Sequence, residues 1–185
     1  MSSLPQVGTR ITFDPLAALP LESVWYAVQT YARHEKKVAG ELRRKGIESF
    51  LPLFPEKHQW SDRERIIDVP LFPQYVFVRI AAEVSVRVEV LRTSGVTSFV
   101  GARGLGTAIP ENQIAAVQSV LEHRVAASPC SFLDVGKRVR IRSGSLDGVE
   151  GILLGLKGDE TLVISVELIH KSLTISVNGF RVEPV

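Results

Sequence analysis

The sequence has little of what secreted proteins, membrane proteins and most metalloenzymes use. It contains one cysteine, Cys130, in 185 residues, so no internal disulfide can form and no thiolate cluster can hold zinc. No stretch free of Asp, Glu, Lys and Arg exceeds ten residues, whereas a membrane-crossing helix needs about 20 apolar residues. The N-terminus has no cationic patch followed by an apolar core, so a secretory signal is not expected. The four histidines are scattered, with no pair at i, i+4, which removes the helical zinc-hydrolase pattern. Gly101, Gly104 and Gly106 give G-x-x-G-x-G with no following Walker-type lysine, so a phosphate cradle is not supported. Ser145, between Gly144 and Gly148, lacks the spacing of a nucleophile elbow. Charge of one sign is also lacking: 22 Lys+Arg against 20 Asp+Glu give a net +2. These absences predict a soluble cytoplasmic protein with no membrane partner and give no support for a cofactor or metal; a monomer is expected, and an enzyme is possible but unsupported.

What remains is an ordinary globular composition, 45% apolar and 23% charged. Residues 1–22 contain Pro5, Gly8, Pro15 and Pro20 and no sustained period, and read as a loosely ordered extension. Val24 to Val28 is rich in β-branched and aromatic residues and predicts a strand. His34 to Lys45 predicts a helix, with Val38 and Leu42 at i, i+4, a basic end and Gly46 at the stop. Glu48 to Phe54 and Tyr75 to Ile80 predict further strands, with an extended arm between them. Glu83 to Leu91 alternates Val84, Val86, Val88 and Val90, which by period reads as a strand. The order of its neighbours suggests a split βαβ repeat, which needs a helix there. Pro110 and Glu111 open a helix carrying Ile114, Val117 and Leu121. Residues 124–131 are short, small and proline-interrupted and read as a linker. Beyond them, five short strands predict a small β-barrel. The domain reading is therefore 1–22 extension, 23–123 first domain, 124–131 linker and 132–185 second domain, in the α+β class.

Taken together, these residues resemble one family. Trp25-Tyr26-Ala27-Val28-Gln29, with Glu35, Lys37 and Leu42, resembles the opening strand and helix of NusG-type transcription elongation factors. Pro70-Leu71-Phe72-Pro73-Gln74-Tyr75-Val76-Phe77-Val78 resembles their F-P-x-Y strand, and Thr93 to Gly101 their next loop. In the second domain, Gly136 to Ile141 and Leu146 to Gly151 resemble the KOW motif, and Phe180 to Pro184 its closing strand. The resemblance implies a ferredoxin-like NGN domain with an antiparallel sheet, followed by a five-stranded SH3-like KOW barrel. It also implies a transcription elongation or antitermination factor that suppresses pausing or termination. Its residues are similar to a specialised paralogue of the RfaH/UpxY type, which serves long surface-polysaccharide operons.

The family's partner is bacterial RNA polymerase, gripped through an apolar patch on the clamp helices of the β′ subunit. Carried onto this sequence, that patch is Phe72, Pro73, Tyr75 and Phe77, with Tyr26. Aromatic anchors of this kind dominate interface energies, although alternate strand positions face opposite sides and one face must be core. The family's contact to the β gate loop maps to Arg87 and Glu89. Non-template DNA contact maps to Lys37, Arg44 and Lys45, where cations would release counterions. The KOW loop, whose partner is Rho or a small-subunit ribosomal protein, maps to Leu146 and Val149. Arg138, Arg140 and Arg142 alternate along a strand and are read as an exposed face. Two other readings stay open at this point. One is a ribosome-associated KOW protein, and the other an uncharacterised enzyme on a ferredoxin-like scaffold.

Overall fold

A computed structural model describes residues 22–60, 63–125, 127–131, 136–156 and 159–185. The extension expected at residues 1–22 lies almost wholly outside the described residues. The order of elements is β1 (Val24–Thr30), α1 (Glu35–Arg44), β2 (Glu48–Phe50), β3 (Leu53–Trp60), β4 (Arg63–Pro70), β5 (Tyr75–Ile80), α2 (Val84–Leu91), β6 (Val96–Phe99) and α3 (Glu111–Glu122). Then follow β7 (Ala127–Ser131), β8 (Lys137–Ile141), β9 (Glu150–Leu156), β10 (Asp159–Val166), β11 (Lys171–Ser176) and β12 (Val182–Pro184).

The first module is a four-stranded sheet in the order β2-β5-β1-β6. Its pairings are all antiparallel, the ferredoxin-like arrangement that the split repeat predicts. Alternation divides its strands between two apolar faces. Tyr26, Val28, Val76, Val78 and Ile80 pack with Val38 and Leu42 of α1 and Val90 of α2. Trp25, Ala27 and Phe77 pack with Ile114, Val117 and Val120 of α3. The ambiguous valine segment is helical: Val90 is fully buried, and that packing offsets the low helix propensity of β-branched residues. Helix α1 ends as its sequence predicts. Gly46, at φ +75, allows Gly46 N–H to donate to Arg43 and Ile47 N–H to Leu42, the Schellman pattern. Strands β3 and β4 pair only with each other among the described residues, forming the predicted arm.

The second module corrects one expectation. Residues 127–131, read as linker, are strand β7, paired with β11 from Ala127↔Ile175 to Ser131↔Lys171. The five strands expected beyond residue 131 are present as β8–β12, and β7 adds a sixth, in the order β12-β8-β9-β10-β11-β7. Small side chains and one proline are compatible with an edge strand, because an edge leaves one row of backbone groups unpaired. Gly151 is required on β9. A Cβ there would overlap the Val163 carbonyl oxygen of the neighbouring strand.

Helix α3 joins the modules. It ends with Arg124 at φ +52, and Val125 N–H donates back to Val120, turning the chain directly into β7. Its other side meets the second module: Gln113 Oε1 accepts a hydrogen bond from Glu167 N–H at 3.1 Å. The apolar residues of both modules form one continuous cluster through this helix.

Candidate functional site

The segment singled out by the sequence, Phe72-Pro73-Gln74-Tyr75, is a β-turn. Tyr75 N–H donates to Phe72 O at 3.3 Å, Pro73 occupies the second position, and Gln74 has φ +69. Proline followed by a residue at positive φ is the type II pattern. A glutamine in the left-handed region is strained, so the turn needs an external hold. Glu35, the first residue of α1 and 5% exposed, supplies it: its Oε1 accepts from Gln74 N–H at 2.8 Å. Gln74 O in turn accepts from Thr30 N–H at 2.9 Å. The turn is thereby pinned to the end of β1, beside Tyr31, whose N–H donates to Gly95.

The consequence is a sharp division of the predicted ring patch. Phe72 (1% exposed) and Phe77 (fully buried) are core. Phe77 stacks on Phe50 at 6.0 Å and meets Phe72 edge-on at 6.1 Å, while Trp25 meets Phe50 at 6.3 Å. Tyr26 is also sealed, at 5% exposed. The expected patch of accessible rings is therefore corrected. Strand alternation sends these side chains into the two packed faces, leaving only Pro73, exposed, and Tyr75, half-buried. Tyr31 joins them at the same end of the sheet with 61% of its surface exposed. Sequence reasoning missed it, although an aromatic just past a strand end and before a charged turn was a usable signal.

Arg87, which the resemblance maps to the gate-loop contact, is half-buried and closes the module internally. One guanidinium nitrogen donates to the Tyr26 hydroxyl at 2.8 Å, another to the Leu105 carbonyl, and its centre lies 4.6 Å from the Tyr26 ring centroid. Glu89 is exposed, and its backbone carbonyl accepts from Lys45 Nζ at 3.0 Å. Lys45, expected at DNA, also donates to Thr93 Oγ1 at 2.9 Å. It thus caps the carbonyl end of α2, where a cation is favoured. Lys37 and Arg44 are exposed. Lys37 reaches Ser94 at 3.3 Å, and Arg44 makes a loose pair with Glu41 at 3.9 Å.

In the second module, Leu146 is fully buried and Val149 is 6% exposed. As placed, neither offers the expected accessible contact. Both belong to the cluster continuous with α3, and Val149 borders a cleft of about 380 Å³ between α3 and the sheet. The arginine stripe is an exposed face held by carboxylates: Arg138 with Glu167, Arg140 with Glu150 and Arg142 with Glu183. No cluster of three or more His, Cys, Asp or Glu able to hold a metal occurs among the described residues. Nor is any described helix long and apolar enough to cross a membrane.

The sequence profile of the family described as "Transcription termination factor nusG" matches residues 23–118, which take in the whole four-stranded sheet, α1, α2 and the first two-thirds of α3. The chain belongs to the NusG family. It is similar to the "Transcription termination/antitermination protein NusG" of Borreliella burgdorferi, at 25% identity over 89% of this chain and 100% of that one. It is also similar to the protein of the same name from Staphylococcus epidermidis, at 28% identity over 86% and 94%. Among solved structures it resembles one described as "Domain interaction in Thermotoga maritima NusG". The TM-score is 0.55 at 17% identity, covering 89% of this chain and 98% of that one, a likeness of fold. NusG proteins are transcription factors, and the two sheet modules here fit the NGN-plus-KOW organisation of the family.

Proposed function

We propose that this NusG-family chain is an elongation and antitermination factor that binds bacterial RNA polymerase in the cytoplasm through the Tyr31–Pro73–Tyr75 end of its NGN sheet. The observation that carries the reading is the pinned turn. A buried carboxylate holds Gln74 at positive φ, and the product is one proline and one aromatic set at the surface beside a second aromatic. Preorganised rings of this kind lose little conformational entropy on docking. The sealed Phe72 and Phe77 act as the rigid backing of that edge. By gripping the clamp helices more tightly in the elongating state than in the paused one, the factor shifts the polymerase toward elongation, since only differential affinity can do so. Lys36, Lys37, Arg43 and Arg44 form the exposed side of α1 and suit a salt-sensitive contact to non-template DNA. The KOW module would take its second partner, Rho or a ribosomal protein, on surfaces freed when it leaves α3. The paralogue assignment, to factors of long polysaccharide operons, is part of the same proposal.

Binding of purified core polymerase to the full chain and to the Tyr31→Ala, Tyr75→Ala double variant tests it. Two interface aromatics contribute on the order of 2 kcal/mol or more, so the variant should bind at least about tenfold more weakly with an unchanged melting profile. Equal binding by both proteins removes the site.

A further inference from the structure

The two halves of the proposed contact lie far apart in sequence: Tyr31 follows β1, and the Pro73–Tyr75 turn opens β5. The start of α1 is fastened to both. On one side His34 N–H donates to Tyr31 O at 3.1 Å, and the His34 ring meets the Tyr31 ring edge-on at 5.9 Å. Gly95, whose carbonyl accepts from Tyr31 N–H, packs against the same first turn: a Cβ on it would stand 3.0 Å from Val38 and 3.2 Å from His34. On the other side the next residue, Glu35, accepts from Gln74 N–H. Consecutive residues at one helix start therefore hold the two halves at a fixed separation.

Neither partner in that second hold is what stability alone favours. Glycine at position 74 would take positive φ without strain, and a type II turn with glycine there needs no external acceptor. A carboxylate enclosed to 5% exposure loses hydration that a neutral side chain would not. Glu35 is also too enclosed to touch a macromolecular partner, so any effect it has on binding passes through the turn.

Resting on the Tyr31–Pro73–Tyr75 reading, we infer that Glu35 is a positioning residue for polymerase binding: its hydrogen bond to Gln74 N–H sets the spacing of Pro73 and Tyr75 from Tyr31. Released, the turn samples other shapes, and affinity falls with the fraction of molecules that keep the matching one. A charge-assisted hydrogen bond biases that fraction on the order of tenfold or more.

The test is titration of core polymerase with full-length variants, each kept below its melting transition. Glu35→Ala should raise Kd on the order of tenfold. Glu35→Gln, which keeps an acceptor oxygen, should stay within about threefold of the unsubstituted chain. Adding Gln74→Gly to Glu35→Ala should recover most of the loss, because glycine holds positive φ unaided. In the Tyr31→Ala, Tyr75→Ala background, Glu35→Ala should cause little further loss, since the rings it places are gone. A residue that merely supports the fold would weaken that background by the same factor again. Unchanged affinity of Glu35→Ala beside a weakened ring variant overturns the positioning role and leaves the site intact. A loss that persists in full without the rings, or that Gln74→Gly does not relieve, overturns it too. A ring variant that binds as tightly as the unsubstituted chain removes the site and this role with it.

Discussion

Arg87→Ala tests whether the α2 arginine is a brace or a free cation. In the structure it gives a charge-assisted hydrogen bond to the Tyr26 hydroxyl at 2.8 Å and a second to the Leu105 carbonyl. Each such bond is worth about 1.5–3 kcal/mol, and a hydroxyl left unpaired in a part-buried site adds its own desolvation cost. The guanidinium also lies 4.6 Å from the Tyr26 ring centroid and 5.6 Å from that of Phe99, adding about 0.5–2 kcal/mol. These contributions share one side chain and do not add, so the expected loss is about 2–4 kcal/mol. Lysine, a point charge without the fork, should recover only part of it. The assay is urea unfolding followed by tryptophan fluorescence, because Trp25 and Trp60 both belong to the first module. Running Arg87→Ala, Tyr26→Phe and the double variant as a cycle should give a coupling of about 1–2 kcal/mol. A loss below about 0.5 kcal/mol, the range of ordinary surface substitutions, with no coupling would refute the brace.

Phe72→Ala should destabilise the first module by about 3–5 kcal/mol, measured by the same unfolding curves, so any loss of polymerase binding in that variant reports folding. Glu35→Ala leaves Gln74 N–H without its acceptor and should cost about 1–3 kcal/mol. Glu35→Gln keeps an acceptor oxygen and should restore most of it, read as slower amide exchange at Gln74. Arg140→Ala removes a part-exposed ion pair with Glu150 and should cost about 1 kcal/mol at most. That difference should shrink further in a thermal melt at high salt.

The chain's own pattern was enough to determine the framework. Val24 to Val28 and Tyr75 to Ile80 are strands because β-branched and aromatic residues suit a pleated, half-buried surface. Gly46 and the cations before it stop α1 where the capping rule places the stop. Even the valine-rich α2 followed from the order of its neighbours, although its own periodicity pointed to a strand. The linker could not be read this way. Edge pairing of β7 with β11 depends on a strand some 45 residues away, and local composition carries no record of it.

The site divides along the same line. Sequence singled out the Phe72–Tyr75 segment through its resemblance to the family's F-P-x-Y strand, while the turn and the positive φ of Gln74 came only with the structure. It could not say which rings face out, since a strand buried on both faces gives no alternation to read. Tertiary structure alone decided that Phe72, Phe77 and Tyr26 are core, that Arg87 and Lys45 are spent on internal oxygens, and that Leu146 and Val149 are enclosed. Burial and hydrogen-bond partnership are set by residues distant in the chain, whereas backbone preference is set by neighbours.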